Sequence, residues 1–429
     1  MAGPEVSTDT RSLRPGAVFF ALRGERHDGH GFVPDALAAG ASAVIVEEWQ
    51  GVTPDGAAVI RVEDTLGALQ RLACWYRSRL DLPVVAVTGS NGKTSTKDFT
   101  ASVLSQRFRV SATKGNLNNH IGLPLTVLST GAEHTAAVWE MGMNHVGELA
   151  PLCEIARPKI GIITNIGTAH IEYMGTRETI AEEKGALARS LPADGTLLVS
   201  AGCEFYEYFR QRTHARIVPV GNGRGVVRAE EIRISASCSE FVLVIEGCDP
   251  VAVRIGVSGR HMITNALLAA AAGWTLGLAP EEIARGLSDA VLTGGRLRRF
   301  EWNGITILDD TYNANPESMA AAIEALAEIP VTGRRIAVLG RMAELGVYAT
   351  SAHHRIGKLA AERGIQVISV GVGAEGISEG AGSSRHFADT LAAAEAVAAM
   401  SASGDAVLFK GSRTAAVEKV MQSAFPHLT

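Results

Sequence analysis

Short apolar runs, each followed by a polar turn and a stretch of helical spacing, recur along this chain. The clearest is Val84-Val85-Ala86-Val87, the continuous kind of run expected where a parallel strand is covered on both faces. Ala136-Ala137-Val138-Trp139 and Ile160-Gly161-Ile162-Ile163 repeat the pattern, and Thr96–Leu104 and Thr179–Ser190 read as helices. Upstream, Ala17–Leu22 and Ala43–Val46 read as strands, and Phe32–Ala39 and Leu66–Leu80 as helices, a small α/β unit over residues 1–80. Residues 81–297 follow as a central unit. Its stretch from Gly195 to about Gly256 alternates, as in Val251-Ala252-Val253-Arg254-Ile255, and predicts an antiparallel appendage. Ile263–Ala279 is apolar but interrupted by Thr264, Asn265 and Gly273, which predicts a buried helix rather than a membrane span. Over residues 298–429 the runs Ile305–Leu308, Arg335–Leu339, Val367–Val370 and Ala406–Phe409 alternate with helical spacing in Glu317–Ile329, His353–Arg363 and Ala388–Met400. That is a βαβ series. The predicted class is α/β in three domains: a small α/β N-terminal domain, a central P-loop parallel-sheet ATPase domain with its antiparallel appendage, and a C-terminal Rossmann-like doubly wound domain.

Composition narrows the partners. Of 429 residues 46% are hydrophobic and 20% charged, the balance of a globular chain with ample core. The net charge of −5 is spread without a basic patch, so no nucleic acid is expected, and an anionic ligand must be held by local groups. The five cysteines, Cys74, Cys153, Cys203, Cys238 and Cys248, lack metal spacing and fit buried thiols in a reducing, cytoplasmic compartment. Met1–Arg11 has no apolar core of a signal peptide, so neither export nor a membrane is expected.

The candidate chemistry lies where the apolar runs end. Thr88-Gly89-Ser90-Asn91-Gly92-Lys93-Thr94 follows the Val84 strand and leads into a helix, so its backbone N–H groups and the helix dipole converge as an anion cradle. Here Lys93 reaches the β/γ-phosphates of a nucleotide and the Thr94 hydroxyl sits on Mg²⁺. A Gly-Lys-Thr triplet also occurs in ordinary turns; the preceding strand favours the triphosphate site. Glu140 and His170 each follow a further strand of the same unit, which would bring Thr94, Glu140 and His170 to one rim as metal-site candidates. The loop Arg23–Gly31, with Arg11 nearby in sequence, is either a solvated loop or a cradle for a polar ligand. In the third domain the loops after the strands are Asp309–Pro316, Gly340–Gly346 and Lys410–Arg413. By spacing alone Lys184 is an exposed helix lysine.

Together these blocks resemble the Mur ligases, ATP-dependent amide-forming enzymes of peptidoglycan precursor synthesis. The resemblance rests on Asp9-Thr10-Arg11 and Asp28-Gly29-His30; on the P-loop with Gly115–Asn119, Glu140-Met141-Gly142 and Asn165–His170; and on Asp309–Met319 with Lys410–Arg413. Within the family, Tyr312-Asn313-Ala314-Asn315-Pro316 points to the member that joins D-alanyl-D-alanine to UDP-N-acetylmuramoyl-tripeptide. The resemblance implies ATP bound by Gly89, Ser90, Asn91, Gly92, Lys93 and Thr94, with Asn265 on adenine and Arg296 and Asp310 on phosphates and ribose. It implies one Mg²⁺ on Thr94 and Glu140 and a second on His170, with Lys93, Lys184 and His170 as the catalytic set and Lys184 carbamylated. Thr10, Arg11, Asp28 and His30 would bind the UDP substrate, and Asn118 and Asn119 would also contact substrate. Asn313, Asn315, Lys410 and Arg413 would hold the dipeptide. A monomer is expected.

Three departures from the family pattern stand out. Ala186 occupies the place of a glutamate two residues after Lys184, Arg341 occupies the place of an acid, and the leading strand of the first domain is expected to be missing or trimmed. Two other readings compete: a related Mur-type or folylpolyglutamate-type ligase, and a nucleotide-binding module without ligase activity.

Overall fold

Each apolar run named above forms a strand, except Ile263–Ala279, which supplies a helix. The computed structural model describes residues 5–24, 27–222, 225–235, 237–383 and 385–427. The first sheet is parallel throughout, in the order β1 (Val6–Ser7), β2 (Val18–Phe20), β3 (Ala43–Val46), β4 (Ala58–Arg61). Helices α1 (Val33–Ala38) and α2 (Thr65–Arg77) accompany it. The first strand, β1, is only two residues long, and β4 was not legible in the apolar pattern.

The central sheet has nine strands in the order β13-β12-β11-β10-β9-β8-β5-β7-β6. In chain order these are β5 (Val84–Thr88), α3 (Lys93–Leu104), β6 (Val110–Ala112), α4 (Gly122–Leu128), β7 (Ala136–Glu140), α5 (Leu149–Ala156) and β8 (Ile160–Ile163). Then come α6 (Ile171–Met174), α7 (Arg177–Ser190), β9 (Thr196–Ser200), α8 (Tyr206–Arg210), β10 (Arg216–Asn222), β11 (Val227–Ile234), β12 (Ser239–Ile245), β13 (Val251–Ile255), α9 (Arg260–Thr275) and α10 (Pro280–Ser288). Strands β5, β7 and β8 are buried along their whole length, as continuous apolar runs require. Alternate residues feed two cores: Val85 and Val87 pack with Phe99, Val103 and Leu267, while Ala86 and Trp139 pack with Leu149, Ile163 and Leu187. The appendage is a continuation of this sheet. Strands β9 and β10 extend the parallel part, and only β11, β12 and β13 pair antiparallel.

Several helix ends differ from the expected ones: α2 stops at Arg77 rather than Leu80, and the helix expected from His353 opens at Ala349. Helix α3 opens at Lys93, three residues early, because Gly92 at φ 78° turns the chain straight into it. Helix α9 stops at Thr275, and Gly277 at φ 81° redirects the chain toward α10. Among the described residues no helix is long and apolar enough to cross a membrane.

The third sheet runs β14-β15-β19-β16-β17-β18, with β14 (Arg298–Trp302) antiparallel to β15 (Ile305–Asp310) and the rest parallel. Between and after these lie α11 (Pro316–Glu328), β16 (Arg335–Gly340), α12 (Ala349–Glu362), β17 (Gln366–Val370), α13 (Glu375–Gly380), β18 (His386–Phe387), α14 (Thr390–Met400), β19 (Ala406–Lys410) and α15 (Val417–Ala424).

Arg77, at the end of α2, ties the first domain to the second. It is 9% exposed, donates to the carbonyls of Ala156 (2.8 Å), Leu80 (2.9 Å) and Arg157 (3.2 Å), and lies over the Trp139 ring. Replacing it orphans three carbonyls in a mostly buried place, so Arg77→Ala is expected to lower stability by about 2–4 kcal/mol. Urea unfolding followed by tryptophan fluorescence measures the loss.

Candidate active site

Strand β5 lies between β7 and β8, so the carboxyl ends of three adjacent parallel strands open onto one crevice. Glycines shape the turn that leaves β5. A Cβ on Gly89 would fall 1.8 Å from the Thr164 hydroxyl, and one on Gly92 would fall 2.6 Å from Asn265 Oδ1. The Ser90 N–H donates to the Asn165 carbonyl (3.0 Å) and the Asn91 N–H to Asn165 Oδ1 (2.9 Å), while the Gly167 N–H donates to Ser90 Oγ (2.9 Å). The P-loop is thus braced by the loop that follows β8.

Thr94 and Glu140 meet at the base of the crevice. The Thr94 hydroxyl donates to Glu140 Oε2 (2.8 Å), Asn118 Nδ2 donates to Glu140 Oε1 (2.7 Å), and Arg296 donates to Thr94 Oγ (2.9 Å). Arg296 also stacks on Tyr312, 4.4 Å from the ring centre. Lys93 curls onto the turn and donates to the Gly89 carbonyl (2.8 Å). Burial lowers its pKa, with Glu140 opposing and Arg296 adding to the shift. His170 stands at the next strand's loop with φ 63°, and its Nδ1 pairs with Glu344 of the third domain. That bond pulls the Glu344 carboxyl below its ordinary range, against burial.

Lys93, Thr94, Glu140, His170, Arg296 and Glu344 line a cavity of about 700 Å³ between the central and C-terminal domains, within the range of small-molecule sites. Of the residues expected to act together, Ser90, Asn91, Gly92, Lys93, Thr94, Asn118, Asn119, Glu140, His170, Asn265, Arg296, Asp310, Asn313, Asn315, Lys410 and Arg413 line it. Several are already committed. Lys410 is buried in an ion pair with Asp310 (2.6 Å) and donates to the Asn313 carbonyl (2.9 Å), so it holds the 310–313 loop. Asn119 caps α4 through the Gly122 N–H (2.8 Å). Asn315 caps α11 through the Ser318 N–H (2.9 Å) and donates to Asn91 in the P-loop (2.7 Å). Arg413 stays exposed.

Thr10, Arg11, Asp28 and His30 are not in this cavity's lining. They belong to the first domain, where Arg11 is exposed and paired with Asp9. Asp28 accepts the His30 N–H (2.9 Å) and pairs with Nδ1 of His30, whose Nε2 accepts the Glu47 N–H (2.9 Å). The Asp28-Gly29-His30 motif therefore pins its own loop to the end of β3. Glu25 and Arg26 of that loop lie outside the described residues.

Lys184 corrects the reading by spacing. It is 1% exposed, not a surface lysine, because α7 packs over the sheet and turns this side chain inward. Burial, reinforced by nearby Lys93 and opposed by Glu183, holds its pKa well below 10.5. The side chains that sequence reasoning left unassigned are Glu344, Glu317, Thr168 and Asn165. Their loops were visible, but the partners lie 74 to 174 residues away.

The donors fit Mg²⁺ as a nucleotide carries it. Among the described residues no three His, Cys, Asp or Glu side chains form a metal cage. Glu140 and the Thr94 hydroxyl instead offer the one or two oxygen ligands that Mg²⁺ takes when substrate phosphates and water supply the rest. His170 lines the cavity while Glu344 engages its Nδ1 and orients the ring, as metal-binding imidazoles are oriented.

This is the cleft of a nucleotide-dependent enzyme whose third domain closes over a P-loop. Family models described as Mur ligase family catalytic domain, Mur ligase middle domain, and Mur ligase glutamate ligase domain match residues 5–77, 87–273 and 295–413. The chain belongs to the Mur ligase family. It is 38% identical over 427 residues to UDP-N-acetylmuramoyl-tripeptide–D-alanyl-D-alanine ligase of Bacillus subtilis (strain 168), covering 97% of this chain and 92% of that one. Identity to the ligase of the same name from Escherichia coli (strain K12) is 38% over 426 residues, covering 97% and 93%. Among solved structures, MurF from Acinetobacter baumannii matches with a TM-score of 0.90 at 33% identity, covering 98% and 92%. MurF ligase from Thermotoga maritima in complex with ADP matches with a TM-score of 0.87 at 29% identity, covering 98% and 97%.

The buried amine gives a pH prediction. A lysine with a depressed folded-state pKa binds fewer protons than the unfolded chain, so stability rises with pH and is lost as pH falls from about 10.5 toward the folded value. Melting curves at pH 6 to 9 should show wild type gaining on Lys184→Met as pH rises; a constant difference would contradict this assignment.

Proposed function

We propose that this chain joins D-alanyl-D-alanine to UDP-N-acetylmuramoyl-tripeptide at the expense of ATP, in the cytoplasmic stage of peptidoglycan synthesis. The observation that carries the reading is the convergence of Lys93, Thr94, Glu140 and His170 on one cleft roofed by the Tyr312–Pro316 loop. ATP lies along Gly89–Thr94, beside Asn265, with Arg296 and Asp310 near its phosphates and ribose. Its γ-phosphoryl group passes to the terminal carboxylate of the UDP-linked peptide, giving an acyl phosphate and ADP. The dipeptide amine attacks that carbonyl, and inorganic phosphate leaves from the tetrahedral intermediate.

The chain's own groups answer the electrostatic problem of bringing two anions together. Lys93 exchanges its backbone carbonyl partners for phosphate oxygens, and Arg296 leaves the Thr94 hydroxyl for the same charge. Thr94 and Glu140 would hold one Mg²⁺ and His170 a second. When bound, Mg²⁺ neutralises phosphate charge and orients the transferred group. Lys184, whose pKa burial lowers, is set to take up CO₂ as a carbamate, which would supply a negative charge where an ammonium would repel the second metal. The third domain, by Asn313 and Arg413, holds the dipeptide and excludes water from the acyl phosphate. Asp310 and Lys410 act there by fixing the loop.

The division of labour follows: residues 1–80 take the uridine nucleotide, with Thr10, Arg11, Asp28 and His30 on its loops, residues 81–297 take ATP, and residues 298–429 take the dipeptide. The chain works as a monomer.

Phosphate release from ATP is expected only when both co-substrates are present, with one product whose mass is the sum of tripeptide and dipeptide less water. Release that ignores the amine would leave a nucleotide-binding module instead. Lys93→Ala is expected to abolish turnover, a loss of at least about a hundredfold. Lys184→Ala is expected to recover in part with short added carboxylates; full activity without them would remove the carbamate.

A further inference from the structure

Glu317 has no cation for a partner: among the described residues it enters no ion pair. It stands in the first turn of α11, where the helix dipole favours negative charge. Its carboxylate instead reaches across to the central domain and accepts two bonds from one residue, the Thr168 N–H (3.0 Å) and the Thr168 hydroxyl (3.0 Å). Gly167 makes the approach possible. A Cβ there would sit 3.0 Å from Glu317 Cδ and 3.1 Å from Oε2, tighter than ordinary contact.

The receiving loop is not passive. It carries Asn165, which fixes the Asn91 N–H, and the Gly167 N–H, which donates to Ser90 Oγ; three residues on is His170. From the other side, the cap of α11, Asn315, reaches Asn91 directly (2.7 Å). One helix N-terminus of the third domain therefore holds the P-loop at two points, directly through Asn315 and through the brace by Glu317. The charge argument points the same way. Glu317 lines a cleft meant for a triphosphate and a peptide carboxylate, and there both its oxygens are occupied by donors.

We infer that Glu317 is a positioning residue: its bonds to Thr168, in the space left by Gly167, latch the third domain onto the loop that braces the P-loop, so the nucleotide site is completed only on closure. The inference deepens the ligase reading by naming what couples the dipeptide-bearing domain to the phosphate site, and it rests on that reading for its kinetic consequence.

The test uses the full chain as wild type, Glu317→Ala, Glu317→Gln, Thr168→Val and the Glu317→Ala/Thr168→Val double variant, with melting curves to confirm folding. Small-angle scattering is expected to give a larger radius of gyration for Glu317→Ala than for wild type. The KM for D-alanyl-D-alanine is expected to rise about tenfold, one factor of ten corresponding to about 1.4 kcal/mol, while the KM for the UDP-linked tripeptide stays put. Glu317→Gln, which keeps one acceptor oxygen, should lie between. Thr168→Val removes the hydroxyl bond and keeps the N–H one, and it should add little to Glu317→Ala, which has already removed the hydroxyl's acceptor. An unchanged radius in Glu317→Ala, or effects of the two substitutions that simply add, would overturn the latch. The scattering comparison needs no turnover, so a chain that ligates nothing would sink the functional reading and still decide this one.

Discussion

The hydrogen bond from the Thr94 hydroxyl to the Glu140 carboxylate is the contact on which the site depends. It joins the first turn of α3 to the end of β7, 46 residues later, and it exists only because β5 and β7 are neighbours in a parallel register. Both oxygens of Glu140 are engaged, by Thr94 and Asn118, so the carboxylate is aimed before any ligand arrives. Arg296 completes the arrangement from the hinge, and its guanidinium is itself held against Tyr312 of the third domain. Four segments far apart in sequence converge on one point, and neutral donors together with Lys93 and Arg296 preorganise it for negative charge.

What the sequence disclosed, and what it withheld, follows from the range of the forces involved. A parallel strand buried on both faces must be a continuous apolar run, and its functional loop must follow directly, so Lys93, Thr94, Glu140 and His170 were legible one after another. The family resemblance reached the same residues by their motifs, and the matches along the whole chain bear it out. Lys184 was not legible by spacing, because a lysine on a helix is read as exposed unless one knows that the helix covers a sheet. The ion pair of Lys410 with Asp310 spans 100 residues and arises because their strands are parallel neighbours in register. No local pattern announces such a pair. The same holds for Glu344 on His170 and Glu317 on Thr168, where the partners come from different domains.

Motif residues also turned out to serve the backbone. Asn315 caps α11 and Asn119 caps α4, which is what a short polar side chain before a helix does best. The Asp28-Gly29-His30 triplet owes its composition to a tight approach as well. A Cβ at Gly29 would fall 2.6 Å from the backbone of Leu22, and His30 spends both ring nitrogens on its own fold. A motif can therefore mark a ligand site because it builds the loop, without each of its side chains touching the ligand.

The departures from the family pattern yield to the same geometry. Ala186 stands two residues past Lys184 on α7, so the two side chains point about 200° apart around the helix. Lys184 is buried within reach of the Lys93 charge, whereas Ala186 lines a separate surface hollow with Cys153 and Ser190. Arg341 is likewise outside the lining of the active cleft, its side chain lying against Gly373. What that loop needs from position 341 is its carbonyl, which accepts the Ser412 N–H (3.0 Å), while the neighbouring Met342 N–H is taken by His353 Nε2 (2.9 Å). The loop is thus shaped through its backbone, and it still delivers Glu344, at φ 59°, to His170. An acid exchanged for arginine at that place changes the charge beside the cleft, and leaves standing every bond that positions Lys93, Thr94, Glu140 and His170.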